Sequence, residues 1–513
     1  MAQQARETEI KYEAAAGASL PAFDVLPQVA RTRQAASEQL DADYFDTEDL
    51  RLIRAGITLR RRRGGHDAGW HLKLPAGPHT RREIRLPLGR SRTRVPDELA
   101  RLVRVHTRGR DLRPVARIST SRQRQVLLDG AGESLAEVAS DDVTARTLGD
   151  ATRLSQWHEV EVELTGGGQD VLAAADKLLR RDGLNRSGQS AKLARALGLP
   201  PPEPAEERPP GPSATAGQVL QGYLRAQLGM LKTLDPMVRG SEPDAVHQMR
   251  TSVRRLRSTL QVFAPFFADS ACDSLADELR WLGAVLGDAR DAEVLAGHLA
   301  EHVGQLPQDL VVGPVTARVR GHFARIGAEA QAGVVAALDS PRYFAVLDQL
   351  DELTAGPPGA DVAARPAGDT LPAAVRKAYV TTSRRMKQAQ RAPAGEQRDL
   401  ALHRARKAAK RARYAAEAVG PAFGPQASRF ARQMKHLQSV LGDHQDAVIA
   451  RLTERELGMS AHLAGENAFS YGLMYERDDQ AAAALQKQAG RTWRKASRTR
   501  YRRWLRRVGS ARH

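Results

Sequence analysis

The chain has 513 residues, room for roughly two to four domains, and its 78 Lys and Arg outnumber 60 Asp and Glu to leave a net charge of +18. That balance favours polyanionic partners, and charge alone leaves nucleic acid, an acidic membrane surface and polyphosphate all open. The single Cys272 excludes an internal disulfide framework. Residues Met1 to Arg6 carry no apolar leader and no run of about 20 apolar residues occurs, so a soluble cytoplasmic protein without a transmembrane segment is expected.

In chain order, the first strand signal is Glu7-Thr8-Glu9-Ile10-Lys11. Successive side chains of a strand point to opposite faces, so Glu7, Glu9 and Lys11 share one. Two carboxylates suit a hard divalent cation and the lysine suits a phosphate oxygen; an exposed edge strand whose charges meet only water is the alternative. Similar runs follow. Arg60 and Arg62 share a face, Lys73 opposes Trp70, Leu72 and Leu74, and Arg81, Glu83 and Arg85 oppose Arg82, Ile84 and Leu86. Glu137, Ala139 and Asp141 share a face, and Glu159, Glu161 and Glu163 oppose His158, Val160, Val162 and Leu164. Many short half-buried strands predict an antiparallel barrel or sandwich, and the ionic second face fits a closed barrel with a charged lumen.

The ordered set Glu7-x-Glu9-x-Lys11, Tyr44-Phe45-Asp46-Thr47, Leu59-Arg60-Arg61-Arg62, Leu72-Lys73 and Glu159-Val160-Glu161-Val162-Glu163 resembles a CYTH domain, the triphosphate tunnel metalloenzyme fold, over residues 5–198. The resemblance implies an eight-stranded antiparallel tunnel holding a triphosphate between basic side chains and carboxylate-bound Mg2+ or Mn2+. Glu7, Glu9, Glu161 and Glu163 match its metal-side acids. Lys11, Arg60, Arg62 and Lys73 match its phosphate-side bases, together with Arg81, Arg117 and Arg122. Lys192, in Ser190-Ala191-Lys192-Leu193, resembles the lysine of the family's closing helix, and Glu83, Glu137 and Asp141 are expected in the same lining. Arg61 stands where the family usually has an apolar residue.

Residues 199–213, with Pro200-Pro201-Pro202, Pro204, Pro209-Pro210 and Pro212, read as a stiff connector. Beyond it Ala, Leu, Arg and Gln recur at helical spacing, and a second break at 356–370 divides this region into 214–355 and 371–513. The halves repeat each other. His247-Gln248-Met249-Arg250 aligns with His403-Arg404-Ala405-Arg406, and Leu286-Gly287-Asp288 with Leu441-Gly442-Asp443. Two motifs at nearly one offset indicate a duplicated unit, each copy long enough for about four helices. Val246, Met249, Val253, Leu256 and Leu260 form an apolar stripe, with His247, Arg250, Arg254 and Arg257 as a basic row beside it. In the second copy Leu402, Ala405, Ala409 and Ala412 form the stripe, and His403, Arg406, Lys410 and Arg413 the row. A solvated basic face is the alternative. Ser241 to Asp244 predicts an N-cap for the first copy; Asp288, Asp291, Asp443 and Asp446 either orient the arginines or cap helices after Gly287 and Gly442.

These repeats resemble the CHAD domain, over residues 213–513, and the resemblance implies binding of inorganic polyphosphate along a basic groove. The implied contacts are His247, Arg250, Arg254, Arg257, His403, Arg406, Lys410 and Arg413, with Lys407, Arg411 and Tyr414 as neighbours. Aromatic residues make up only 5%, which weighs against a nucleic-acid surface built on stacking. The run Arg491 to Arg507 around Trp493, Tyr501 and Trp504 is read as a last core helix with a basic outer face, with nucleic-acid or membrane binding as the alternative.

The fold expected is therefore α+β multidomain: an N-terminal eight-stranded antiparallel tunnel barrel and C-terminal all-α duplicated four-helix bundles. The function expected is metal-dependent hydrolysis of inorganic triphosphate, with polyphosphate bound by the helical region and, in the cell, association with polyphosphate granules. A non-catalytic polyphosphate-binding protein and a class-IV adenylyl cyclase are the alternatives, and no adenine pocket is readable.

Overall fold

The computed structural model describes residues 3–15, 19–77, 79–149, 151–189, 191–201, 211–267, 271–356 and 360–506. Ser190, the connector prolines at 202–210, Pro357-Pro358-Gly359 and Arg507, all singled out in the sequence, lie outside the described residues. The chain divides into two compact units, Met1–Ala205 and Glu206–His513.

The first unit is built on ten strands: β1 (Gln3–Ala14), β2 (Arg31–Gln34), β3 (Glu38–Asp46), β4 (Thr58–Arg63), β5 (Gly69–Gly77), β6 (Thr80–Leu86), β7 (Arg113–Leu128), β8 (Ser134–Thr147), β9 (Leu154–Leu164) and β10 (Asn185–Arg186). Eight of them pair antiparallel in the cyclic order β1-β6-β5-β4-β3-β7-β8-β9. The first half of β1 pairs with β6 and the second half with β9, so one strand closes the ring. Closure leaves no unpaired edge and allows an ionic interior, which is what the alternating charges require.

The apolar faces point outward and are covered by helices. Ile10, Tyr12, Val138, Val160 and Val162 pack beneath α4 (Gln169–Arg181), after the short helices α1 (Arg51–Arg54), α2 (Asp97–Leu102) and α3 (Arg104–Thr107). Phe45, Leu59, Trp70, Leu72 and Ile84 pack against Leu99 and Val103, on and just beyond α2. Asp46, at the end of β3, accepts from the backbone amides of Leu52 and Ile53, both at 2.9 Å, and so holds α1 at its N-terminus. Helix α5 (Lys192–Leu197) packs with Ile118, Val143 and Trp157. Gly64 ends β4 with φ +77°, where a Cβ would meet the Gln39 carbonyl at 2.0 Å.

The second unit is helical. A capping box between Thr215 and Gln218 opens α6 (Ala216–Arg239), followed by α7 (Ala245–Val262), α8 (Ala271–Gln305), α9 (Val315–Leu338) and α10 (Pro341–Ala355). Then come α11 (Asp361–Ala364), α12 (Ala367–Arg391), α13 (Glu396–Ala418), α14 (Gly420–Phe423), α15 (Pro425–Leu463) and α16 (Phe469–Ala496). The duplication is visible as α6-α7-α8-α9 answered by α12-α13-α15-α16. Met249, Val253, Leu256 and Leu260 are buried on α7, as Leu402, Ala405, Ala409 and Ala412 are on α13. The halves share core: Leu299, Val303, Val319 and Phe323 of α8 and α9 pack with Ala450, Leu457 and Met474 of α15 and α16. The stretch 356–370 is not a plain connector, since it holds α11 and the start of α12, with Ala363 and Ala367 fully buried.

Three local expectations change. Asp244 occupies the N-cap of α7, yet its carboxylate accepts from the Gln248 side chain at 3.2 Å rather than from a backbone amide. Gly287 and Gly442 lie inside the continuous helices α8 and α15, so the aspartates beside them cap nothing. The C-terminal helix ends at Ala496, and Trp493 and Trp504 are buried against Tyr379, Phe423 and Phe430. Among the described residues no helix is long and apolar enough to cross a membrane.

Candidate functional site: an ionic tunnel and a basic helical face

The barrel lumen is lined by the charged faces of all eight strands. Glu7, Glu9, Lys11, Arg60, Arg62, Lys73, Arg81, Glu83, Arg122, Glu137, Glu161, Glu163 and Lys192 all face it. The pairing register explains the layout. Glu9 lies opposite Glu163, which lies opposite Glu137, making a row of three acids across β1, β9 and β8. Lys11 lies opposite Glu161, Lys73 opposite Glu83 and Arg122 opposite Asp141, so bases meet acids where these strands pair.

Most of these charges are paired with one another. Lys11 contacts Glu161 closely and Glu9 at 3.2 Å; Lys73 contacts Glu7 closely. Arg122 donates to Asp141 at 2.8 and 2.6 Å and to Glu161 at 2.6 Å. Lys192 reaches in from α5 to Asp141 at 2.9 Å, Glu159 at 2.6 Å and Glu161 at 2.7 Å. Burial pushes the Lys192 ammonium down, but these three carboxylates outweigh it and hold it well above the ordinary lysine range. Burial likewise pushes Glu83 up, while the hydrogen bond from His71 and the charge of Lys73 bring it far below the usual carboxylate range.

One acid lacks such a partner. Glu163 has no ion pair among the described residues, and burial together with Glu7, Glu9 and Glu161 pushes its carboxyl up to about 7. Like charges gathered in a low-dielectric pocket call for a cation, and an all-carboxylate set suits a hard one. The cluster Asp141, Glu159 and Glu161 is different, because Lys192 already occupies its centre.

Arg117 is the exception among the tunnel residues expected from the sequence. Ile118, Thr120, Arg122 and Arg124 line the lumen, so Arg117 has the opposite parity, half-exposed outside the barrel and donating to Asp43 at 2.7 Å. Asp141 sits fully buried behind Arg122 and Lys192. Arg61 lies on the other face from Arg60 and Arg62 and is buried there, so the register of β4 is regular. Sequence reasoning missed Glu38, Asp67, His71 and Arg124. Arg124 follows Arg122 at the strand period and was readable; Asp67 lies in a loop and reaches Arg62 only through the fold.

On the helical unit the two basic rows converge where α7 and α13 meet. Burial, with Arg254, Arg406, Arg250 and Lys407 around it, pushes the Lys410 ammonium down to about 6. Burial, with Lys407, Arg406 and Lys410 nearby, pushes His403 below its ordinary value, and burial with Arg290 does so for His247. The glycines of the repeated motif now have a reason. A Cβ on Gly287 would lie 3.2 Å from the Arg250 guanidinium, and one on Gly442 would lie 3.4 Å from that of Arg406. Each long helix drops its side chain to seat an arginine of the row. Arg250 pairs with Asp291 at 2.8 Å, whereas Arg254, Arg257, Arg406, Lys407 and Lys410 have no ion pair among the described residues. The buried Nε atoms of Arg250, Arg257 and Arg406 and Nδ1 of His403 have no hydrogen-bond partner. Arg413 departs from the row: its Nε donates to Glu417 at 2.6 Å and its guanidinium stacks over Tyr414. Arg257 lies towards Arg280 and Arg411 instead of Lys410.

Comparison with known proteins finds a CYTH domain at residues 5–196 and a CHAD domain at residues 222–453. Two curated relatives, Uncharacterized protein Rv2226 of Mycobacterium tuberculosis strain H37Rv and Uncharacterized protein MT2285 of strain CDC 1551, are each 39% identical over 503 residues, 95% of this chain and 96% of theirs. Among solved structures, PptA from Streptomyces chartreusis aligns over 55% of this chain and 100% of its own at 20% identity and a TM-score of 0.47. The CHAD domain of the plant Ricinus communis aligns over 60% of this chain and 98% of its own at 24% identity and a TM-score of 0.39. The chain belongs to the proteins that join a CYTH domain to a CHAD domain.

Proposed function

We propose that the tunnel hydrolyses inorganic triphosphate, or a related polyphosphate, with Mg2+ or Mn2+ bound, and that the basic helical face binds inorganic polyphosphate. The observation that carries this reading is the composition of the lumen. Facing sets of acids and bases fill it, and Glu163, beside Glu7, Glu9 and Glu161, has no ion pair among the described residues. A triphosphate would draw Lys11, Arg62, Lys73, Arg122 and Lys192 away from the carboxylates they now hold, Arg60 away from the Tyr44 hydroxyl and Arg81 away from the Gly56 carbonyl. Glu7, Glu9 and Glu163 would then hold the cation, with Glu161 joining as Lys11 and Lys192 turn to phosphate. When bound, the ion supplies charge neutralisation on the phosphate oxygens and polarises water. The arginines and lysines spread the charge that develops on the transferred phosphoryl group, which is where most of the catalysis of such reactions lies. Arg254, Lys410, Arg406 and Arg250 provide a concentration of positive charge that a base-free phosphate chain satisfies without stacking.

The reading is tested by phosphate release from inorganic triphosphate, ATP and long-chain polyphosphate with Mg2+ or Mn2+. Release from triphosphate that requires the metal supports a triphosphatase. Binding of long-chain polyphosphate with no release from any of the three would make this a binding protein with a silent tunnel.

A further inference from the structure

The helical unit contains a second constellation that the basic face does not use. His298 and His302 stand one turn apart on α8, with ring centroids 4.1 Å apart. Asp478 of α16 lies 3.1 Å from Nε2 of His298 and 3.3 Å from Nδ1 of His302. Glu454 of α15 lies 3.8 Å from that same Nδ1. Glu454 is 0% exposed, and no nitrogen or hydroxyl donor reaches either of its carboxylate oxygens, which face the Asp478 carboxylate; Nδ1 of His302 has no hydrogen-bond partner either. A buried carboxylate left unsatisfied beside a second carboxylate is costly by several kcal/mol unless a cation completes it.

The donor types say which cation. Mg2+ and Ca2+ take oxygen ligands, whereas two imidazole nitrogens with two carboxylates form the mixed set preferred by divalent first-row transition metals and Zn2+. Two histidines at i and i+4 present both nitrogens to one point, and α15 and α16 bring the acids from the other half. His298 is 28% exposed at its side chain, which leaves an entry path, while Leu299, Val303, Leu457 and Met474 pack around the rest.

We propose that His298, His302, Glu454 and Asp478 bind one Zn2+-class divalent ion inside the helical unit, tying α8 of the first half to α15 and α16 of the second. The proposal stands apart from the chemistry of the tunnel.

The test uses the full chain in an E7Q/E9Q/E163Q background, which removes three of the four metal-side acids of the tunnel. The protein is stripped with chelator, incubated with ZnCl2, desalted and assayed for bound zinc, with thermal unfolding followed in parallel. About one zinc per chain and a raised melting temperature are expected, both lost in the H298A/H302A variant. Absence of retained zinc in the background protein, or zinc retained unchanged in H298A/H302A, would overturn the site. Should H298A/H302A fail to fold, Co2+ added to the background protein decides: intense visible absorption of a four- or five-coordinate ion is expected, and the weak spectrum of hexa-aqua Co2+ would overturn the proposal.

Discussion

The tunnel and the basic helical face are both rich in Lys and Arg, yet they balance charge in opposite ways. In the tunnel most bases pair with an acid, several of them across the strand register, as Lys11 meets Glu161 and Arg122 meets Asp141. On the helical face Lys410 meets Arg254, Arg406 and Arg250, and burial together with these arginines suppresses its own charge. A paired site binds an anion only when its acids receive something in exchange, which is the office of a metal ion. A self-repelling site needs the anion alone. The difference therefore predicts that divalent metal governs the first region and leaves the second untouched.

The largest effect should come from the tunnel acids. Glu7→Gln with Glu9→Gln is expected to lower triphosphate hydrolysis by at least about 10²-fold, in line with losing preorganised electrostatic stabilisation, while polyphosphate binding stays within a factor of two. Phosphate release and a binding isotherm on the same preparation check this, and loss of both together would merge the two sites into one. The mirror experiment replaces His247, Arg250, His403 and Arg406 with Ala. Polyphosphate affinity is expected to fall by about 10- to 100-fold and triphosphate turnover to hold, because each of the four lost contacts contributes on the order of 0.5 kcal/mol net.

A pH series sharpens the contrast. Lys410, with its free-state value down at about 6, is largely neutral at pH 8, and a bound phosphate chain favours its protonated form. Binding therefore takes up a proton, and affinity should rise as pH falls from 8 towards 6, by at most about tenfold per unit for each proton, then level off. His247 and His403, also held below their ordinary values, act in the same direction. Lys410→Ala should flatten most of this slope in a titration of affinity against pH; an unchanged slope would remove Lys410 from the site.

The smallest effect has opposite signs in fold and function. Gly442→Ala gains helix propensity of up to about 1 kcal/mol, yet its methyl presses on the Arg406 guanidinium. Melting temperature should rise slightly while polyphosphate affinity drops a few-fold. Loss of stability would mean that the helix itself, not the arginine, needs that glycine.

The barrel was legible because period-two alternation survives wherever one face is apolar and the other ionic, as in Trp70 to Leu74 and Glu159 to Leu164. The duplicated basic row was legible because two copies kept one pattern. Parity failed at Arg117, where β7 runs 16 residues and both faces carry charge, so nothing local marks the inner face. Arg413 was placed in the row, and its pairing with Glu417, one turn on along the same helix, was readable from the spacing but not weighed. Lys410 was placed in the row, but its suppressed charge arises from burial against α7 with Arg254 and Arg250 added to Arg406, which no spacing within α13 reveals. The histidine pair of α8 was invisible for the same reason: its acids come from α15 and α16, more than 150 positions away along the chain.

The measurement closest to the central claim is long-chain polyphosphate binding and triphosphate hydrolysis by the same protein, each with and without added Mg2+ or Mn2+. Hydrolysis should vanish without the metal while binding persists at undiminished affinity. Binding that also required the metal, or hydrolysis that did not, would contradict the division between a paired tunnel and a self-repelling groove.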